Sequence, residues 1–437
     1  MTTTTLDVTE QDEEDGGGHE EHPPGLVMVA VAARPVYLPF SLSNAVLLGR
    51  SDLGRSGADD ERMSRRHAEI TWEGSRYRIR DLASRNGTFV DGVRVRGEVL
   101  VAAPRVLRLG RTLLSFVRDV GTYQGVSVTH IDGALVGPRL REAWDRVERV
   151  ARASDSLVVT GESGAGKELA ARLFHRSGPG ARGPFVAVNC AAIPQSIAER
   201  LLFGAQKGAY SGATADSEGM IQAAHGGTLF LDEVAELDLG VQAKLLRVLE
   251  TREVTPLGSS KPRALDLRIV CATHRDLRRQ VAAREFRDDL YFRLGGIDVN
   301  VPPLRDRLEE VPFLVADAVA EAGSGKLSVH PLFLETCLLR RWPGNVRELR
   351  SEVARAAQEA LAAGRDVVEP SDLSEDAGRE ISSAPTSSEG EKTLARTDDA
   401  TIERVLREVS GNVSQAAREL GIHRNQLRRW IARNRGS

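Results

Sequence analysis

A glycine-rich loop between a strand and a helix constrains the fold of this chain more than any other feature. From Val158 to Glu168 the sequence reads VVTGESGAGKE: a short apolar strand leads into the loop, and a lysine begins a helix. Backbone N–H groups of such a loop converge at the positive end of the helix, and the lysine adds a full charge. The pattern therefore predicts a phosphate-binding loop. The alternative is a glycine-rich turn that binds nothing, and the flanking strand and helix argue against it.

The last position of this loop departs from the general pattern. Glu168 stands where a Ser or Thr would place its hydroxyl on Mg²⁺, so either the loop is degenerate or other groups hold the metal. The predicted nucleotide-binding residues of the loop are Gly161, Glu162, Ser163, Gly164, Ala165, Gly166, Lys167 and Glu168.

Length and charge indicate a multidomain protein. With 437 residues there is room for about three domains. The net charge of −3 identifies no partner, because the two ends of the chain differ in sign. Residues 1–24 are acidic and too polar to fold, and we expect a disordered tail there. Three scattered cysteines fit a reducing compartment, and neither a signal peptide nor a membrane span is apparent, so we expect a cytoplasmic protein without membrane contact.

Residues 25–120 carry short apolar runs separated by turn residues, which is typical of an all-β sandwich. Three polar motifs lie at strand ends: Gly49-Arg50, SRRH from Ser64, and SRNGT from Ser84. This set resembles a forkhead-associated (FHA) domain, a phosphothreonine-binding module. A guanidinium and a hydroxyl suit a phosphate dianion, while an Asn amide suits a peptide bond. The resemblance implies phosphothreonine contacts at Arg50, Ser64, Arg65, Ser84 and Asn86, and we expect His67 to brace the loop.

Residues 130–370 alternate strand and helix, which predicts an α/β domain. The run GGTLFLDEVAEL ends its apolar part in Asp232-Glu233, and carboxyl ends of strands in open α/β sheets are where ligands bind. We expect Asp232 to be the metal ligand for Mg²⁺ and Glu233 to polarise the attacking water, although such a pair also favours helix N-termini. Thr273-His274, at the end of LRIVCAT, is predicted to sense the γ-phosphate.

From about Leu135 to Ala363 the chain is similar to the AAA+ ATPase domain of bacterial enhancer-binding proteins, the activators of sigma-54 RNA polymerase. The motifs that carry the resemblance are GESGAGKE, FVAVNCAAI, GAYSGA, GGTLFLDEVAEL, ATHRDL, FRDDLYFRL, PLRDR and WPGNVREL. In this family the phosphate loop typically ends in Gly-Lys-Glu, which accounts for Glu168. The resemblance implies an ATPase with a small helical lid and a ring, expected to be a hexamer. It assigns Asn189 to restraining the catalytic Glu, Arg287 and Arg293 to a neighbour's nucleotide, and Arg347 to sensing nucleotide from the lid.

GAYSGA distinguishes this family from other AAA+ proteins. Two glycines allow a protruding loop, and an aromatic at its tip offers rigid apolar area to a partner. The resemblance implies that this loop contacts the sigma-54 RNA polymerase holoenzyme. Tyr210-Ser211 stands where the family usually has Phe-Thr, and both changes keep the ring and the hydroxyl. The loop residues are Gly208, Ala209, Tyr210, Ser211, Gly212 and Ala213.

The C-terminal part is predicted to be a flexible linker, residues 371–395, followed by three short helices in residues 396–437. Eight arginines against three glutamates after residue 400 make this end basic. It resembles the all-α Fis-type helix-turn-helix that ends many enhancer-binding proteins, which implies binding to upstream enhancer DNA. A purely structural tail is the alternative. The predicted DNA-binding residues are Arg424, Asn425, Arg428, Arg429 and Arg433.

Three functions of different class follow from these patterns. The first is an ATP-driven activator of sigma-54 polymerase, controlled by a phosphothreonine protein or a Ser/Thr kinase through the FHA domain. The second is a DNA-bound regulator that uses its ring only to oligomerise, against which the complete ATPase motifs argue. The third is a phosphopeptide adaptor that remodels another complex, against which GAYSGA argues.

Overall fold

A computed structural model describes residues 22–294, 297–323, 325, 327–380, 402 and 404–406, with Arg55 described by its backbone. The chain divides into two compact units, residues 1–379 and 380–437. Among the described residues no helix has the length and apolar character needed to cross a membrane.

Residues 25–117 form two antiparallel sheets packed face to face, as the sequence predicts. Strand alternation explains the packing: Tyr77 and Ile79 are buried between the sheets, whereas Arg80, which lies between Ile79 and Asp81, is exposed. Within this range one sheet has the order β2-β1-β10-β9-β6-β7 and the other β3-β4-β5-β8. The strands are β1 Gly25–Val31, β2 Arg34–Ser41, β3 Val46–Leu48, β4 Ala68–Trp72, β5 Tyr77–Asp81, β6 Thr88–Val90, β7 Val93–Arg94, β8 Glu98–Val101, β9 Val106–Leu109 and β10 Thr112–Val117.

Residues 121–300, described apart from 295 and 296, form the central α/β domain. Its sheet has five parallel strands in the order β14-β15-β18-β13-β19. Side chains alternate between its two faces: Val158 packs under one helical layer, and Leu157 and Val159 pack under the other. The elements are β11 Thr129–Ile131, β12 Ala134–Val136, α1 Pro138–Ala153, β13 Ser156–Thr160, α2 Lys167–Ser177, β14 Phe185–Asn189, α3 Gln195–Phe203, α4 Met220–Ala223, β15 Gly227–Asp232, α5 Leu239–Thr251, β16 Glu253–Val254, β17 Arg263–Ala264, β18 Leu267–Thr273, α6 Leu277–Ala282, α7 Asp288–Leu294 and β19 Asp298–Asn300.

A helical lid, defined here as the described part of residues 304–380, follows the central domain. The expected linker begins at 371, but the structure folds residues 371–380 against the lid. Leu373 and Ala377 are buried in the lid core, and Gly378 packs against Trp342. Two isolated apolar anchors produce no periodicity, which is why the sequence pattern places this boundary too early. The elements of the lid are α8 Val311–Gly323, β20 Ser328–Val329, α9 Pro331–Leu339, α10 Asn345–Ala362 and β21 Val367–Val368.

One face of the N-terminal sandwich packs on this lid. Strand β1 is buried at every position, because Leu26 and Met28 face the sandwich core while Val27 and Val29 join the apolar core of the lid. Arg108 Nε donates to Glu335 Oε2 of α9 at 2.8 Å, and both side chains are largely buried.

The end of helix α9 contributes a second polar contact to this interface. Arg105 Nη1 donates to the carbonyl of Leu339, the last residue of α9, at 2.8 Å. A cation is favourable at this negative end of a helix. The sandwich and the lid therefore share one core, with charge-assisted contacts from Arg105 and Arg108.

Candidate functional site

The phosphate-binding loop lies between β13 and α2, as predicted. Gly161, Gly164 and Gly166 all have positive φ, which residues with a Cβ rarely adopt. Lys167 begins α2 and is 7% exposed; its Nζ donates to Gly161 O at 2.9 Å and lies 3.4 Å from Glu233 Oε1. The lysine charge therefore lies between the loop and the Glu233 carboxylate.

Asp232 is the last residue of β15 and Glu233 follows it, at the carboxyl end of an interior strand of the sheet. Glu233 has φ +53°, in the left-handed region, and its Oε2 accepts from His274 N at 3.3 Å and lies 2.8 Å from His274 Nδ1. Burial favours a raised pKa for Glu233, but the His274 hydrogen bonds and the Lys167 charge together hold that pKa below its ordinary value. Glu233 is therefore a carboxylate at neutral pH, the form that can accept a proton from water.

Asp232 is placed to hold a cation. Burial raises the pKa of Asp232, with a further rise from the Glu233 charge. Among the described residues its Oδ1 is buried without a hydrogen-bond partner, and an unpaired carboxylate oxygen is a ligand that Mg²⁺ takes. The described part of the chain contains no cluster of three or more His, Cys, Asp or Glu suited to a metal. The residues present therefore fit an ion held by one carboxylate together with a ligand's phosphates, and not by a protein cage.

Three other residues predicted for the nucleotide site, Arg347, Thr273 and Asn189, differ in whether they contact the phosphate loop or Glu233. Arg347 of α10 reaches the phosphate loop, with Nη1 3.4 Å from Ser163 Oγ. Thr273 is fully buried at the end of β18, and its Oγ1 accepts from Arg275 N at 3.0 Å. Asn189 ends β14 opposite Asp232, yet its Oδ1 accepts from the nearby Ala191 N and, among the described residues, it makes no hydrogen bond to Glu233. Its restraining role stays a prediction.

Arg287 and Arg293 lie at helix α7. Arg287 pairs with Asp289 at 2.6 Å, and Arg293 Nη2 donates to Leu249 O at 2.9 Å. Within the described residues, the groups that Arg287 and Arg293 contact therefore lie outside the phosphate loop of the same chain. Phe292 between them is 76% exposed.

The GAYSGA loop is an insertion between α3 and α4. Its base is closed by pairing of Ala205 with Ser217, and Gly208 N donates to Ala213 O at 2.9 Å. Tyr210 is 39% exposed, with the Arg200 guanidinium 5.1 Å from its ring centroid. An exposed aromatic on a pinned loop is available to a partner.

The predicted phosphothreonine residues gather around one loop of the sandwich. Arg50 donates to the carbonyls of Glu61 and Met63. Ser64 Oγ accepts from Arg85 N at 3.2 Å, and Asn86 Nδ2 donates to Arg62 O at 2.6 Å.

Three further side chains belong to this region of the sandwich: Ser84, Arg65 and His67. Ser84 Oγ donates to Asp81, and Arg65 is exposed. His67 is fully buried beneath the loop, accepting from Ser64 N, and burial lowers its pKa. The histidine therefore lies where a bracing role requires it.

The predicted DNA-binding residues lie outside the described part of the chain, as does the expected linker after residue 380.

Sequence reasoning missed several residues that hold the phosphate loop. Asn345 at the start of α10, and Arg305 and Arg307 in the segment before α8, all bond to the loop. PLRDR and WPGN identify these segments, but neither motif indicates that its side chains reach back to residues 162–165.

Comparison with known proteins identifies three domains. The family models for the FHA domain, the sigma-54 interaction domain, and the Fis family of bacterial regulatory proteins match residues 46–112, 135–300 and 393–433. Structures of NtrX from Brucella abortus, in complex with ATP and with ADP, share 32% and 33% identity, each with a TM-score of 0.52. They cover 70% and 68% of this chain, and the matches span 68% and 69% of those chains.

Curated relatives give the same family. The response regulator PilR of Pseudomonas aeruginosa is 40% identical over 316 residues, 68% of this chain and 69% of PilR. The DNA-binding transcriptional regulator NtrC of Azospirillum brasilense is 40% identical over 331 residues, 68% of each chain. The chain therefore belongs to the family of sigma-54-dependent bacterial transcription regulators, as an AAA+ ATPase that carries an FHA domain and a Fis-type DNA-binding domain.

Proposed function

We propose that this protein binds upstream enhancer DNA, assembles into a ring, and uses ATP hydrolysis to remodel sigma-54 RNA polymerase holoenzyme. A protein that carries phosphothreonine, either a Ser/Thr kinase or a protein phosphorylated by one, controls this activity through the FHA domain. The observation that carries the proposal is the presence, in one domain, of a complete phosphate site and a pinned loop that exposes Tyr210. Both proposed partners, DNA and RNA polymerase, place this activity in the cytoplasm.

Replacing Tyr210 by Ala is expected to abolish open-complex formation by sigma-54 polymerase and to leave ATP hydrolysis near the parent rate. The aromatic ring of Tyr210 lies in a loop apart from the phosphate site, so its loss removes apolar contact area without touching the nucleotide. Tyr210→Phe is the matched control and should retain activation, because it keeps the aromatic side chain. Promoter opening and phosphate release are measured on the same preparations, and full promoter opening by Tyr210→Ala would favour the adaptor function instead.

Nucleotide and metal use follow from the same site. The ATP and ADP of the NtrX structures support the same ligands at the loop of this chain. Asp232 would hold Mg²⁺ together with the phosphates, and the ion would offset charge on the transferred phosphoryl group. Glu233 would orient water, and Lys167 would bind the β- and γ-phosphates.

Arg287 and Arg293 would complete the site of a neighbouring subunit, so that hydrolysis depends on a ring, which we infer to be a hexamer. Arg287→Ala or Arg293→Ala should lower the ATPase rate by about 10³-fold or more. Adding Lys167→Ala subunits should restore part of that rate, since their intact arginines complete sites that still bind ATP. Arg279→Ala, exposed on α6, is the control with the parent rate expected. An ATPase rate that stays low at every mixing ratio would count against contacts between subunits.

Control by the FHA domain has a physical route in the sandwich–lid interface. The face of the sandwich that carries Val27 and Arg108 is packed on the lid, and the lid carries Arg347 beside the phosphate loop. Phosphopeptide binding at Arg50, Ser64, Arg65, Ser84 and Asn86 would then change the ATPase through the position of the lid. The direction of this control is read from ATPase rates with and without a phosphothreonine peptide.

A further inference from the structure

Asn345 joins the lid to the phosphate loop. Its side chain is fully buried, and the residue has φ +53°, a left-handed conformation that Asn tolerates better than most residues. Its Oδ1 accepts from Leu304 N at 2.8 Å, and its Nδ2 donates to Ser163 O at 3.0 Å and to Glu162 Oε2 at 3.1 Å, with a longer contact of 3.3 Å to Pro343 O. The partners fix the orientation of the amide, because a backbone N–H must donate and a carbonyl and a carboxylate must accept.

The bond to Ser163 orients a phosphate-binding donor. In a planar trans peptide the C=O and the following N–H point in opposite directions. Holding Ser163 O toward the lid therefore aims the N–H of Gly164 away from the lid. Among the described residues the N–H of Gly164 has no recorded hydrogen-bond acceptor, so it is free for a ligand.

Neighbouring contacts hold the rest of the loop in the same way. Arg307 Nη2 donates to Ala165 O at 3.1 Å, and Arg305 Nη1 lies 2.7 Å from Glu162 Oε1. The lid also approaches Gly164 closely, because a Cβ there would lie 2.2 Å from Gly344 O. Glu162 is thus shared by Arg305 and Asn345, and the peptide planes of the loop are set from the lid side.

We propose that Asn345 is a positioning residue for the nucleotide: it fixes the peptide plane between Ser163 and Gly164 and transmits the position of the lid to the phosphate loop. It acts through the loop and touches no phosphate itself. This inference concerns nucleotide binding alone, so sigma-54 contact and phosphothreonine recognition do not enter its test.

Asn345→Asp separates positioning from structural support. The new carboxylate keeps an oxygen acceptor for Leu304 N but replaces the donor with an oxygen that faces Ser163 O and Glu162. We expect the Kd for ATP to rise about 10-fold or more, since bonds to charged groups are worth more than neutral ones. The Kd is measured on the full chain with a fluorescent ATP analogue and Mg²⁺. Asn44→Asp, which adds the same charge on an exposed turn, should bind as the parent does.

A second variant keeps the proposal testable if Asn345→Asp folds poorly. Glu162→Gln supplies an amide that can donate to the carboxylate introduced by Asn345→Asp, because the side chains at these two positions already lie within hydrogen-bond distance. The double variant Asn345→Asp/Glu162→Gln should regain the unfolding temperature that Asn345→Asp loses, but its Kd for ATP should stay about 5-fold or more above that of Glu162→Gln alone, because no donor faces Ser163 O. Parent-like affinity of Asn345→Asp would overturn the proposal. So would a double variant whose unfolding temperature and ATP affinity recover together, because Asn345 would then be only a structural residue.

Discussion

Glu233→Gln is expected to lower kcat for ATP hydrolysis by about 10²- to 10⁴-fold while ATP affinity stays within about threefold of the parent. The Gln side chain keeps the shape and the contact with His274 but cannot accept a proton from the attacking water. Loss of the charge 3.4 Å from Lys167 Nζ leaves that ammonium free for phosphate, so binding is retained. The kinetic split is measured by steady-state phosphate release and by titration with a fluorescent ATP analogue.

Lys167→Ala is the contrasting variant, because we expect it to weaken ATP binding, whereas Glu233→Gln slows hydrolysis of bound ATP. The Lys167 ammonium is nearly buried between the loop and Glu233, where its charge is placed to bind phosphate. If Glu233→Gln hydrolysed ATP at the parent rate, the water-activating group would have to be a different residue.

Glu335→Gln is expected to destabilise the folded chain by about 3–5 kcal/mol, because it leaves the Arg108 guanidinium buried without its charge partner. The side chains of Arg108 and Glu335 are 14% and 8% exposed, so solvent replaces little of the lost interaction. Urea unfolding followed by circular dichroism gives the difference in the free energy of unfolding.

The exposed pair between Lys244 and Glu199 provides the control. Their side chains are 48% and 38% exposed, and Lys244→Ala should cost less than about 1 kcal/mol. The double variant Arg108→Leu/Glu335→Leu should recover most of the lost stability, since apolar groups can replace a buried pair. Equal losses for Glu335→Gln and Lys244→Ala would mean that the sandwich–lid ion pair is screened by solvent.

The fold and the order of the domains could be predicted because each leaves a local signature. The phosphate loop needs glycines at fixed spacing, and the Asp232-Glu233 pair follows an apolar run, so both are legible in single stretches of sequence. The strand periodicity of the sandwich is legible for the same reason. The prediction of a β-sandwich followed by an α/β ATPase domain with a helical lid is confirmed.

Contacts between distant segments could not be predicted in this way. The bond of His274 to Glu233 joins two strand ends 41 residues apart, and the bond of Asn345 to Ser163 joins residues 182 apart. A period of two or 3.6 residues contains no information on such pairs. One signal of the sandwich–lid interface was present: β1 reads GLVMVAV, apolar on both faces, whereas a strand at the surface of a sandwich alternates.

The shared core of sandwich and lid also determines the smallest fragment of this protein that can be prepared in a soluble form. Cut free of the lid, the FHA domain would present Val27, Val29 and Leu113 to water as one apolar face, together with an Arg108 deprived of its carboxylate. Exposed faces of this kind promote association between copies. Phosphopeptide affinities measured on the excised domain would then describe an aggregating species, so the domain borders drawn by homology are not the borders of a soluble fragment.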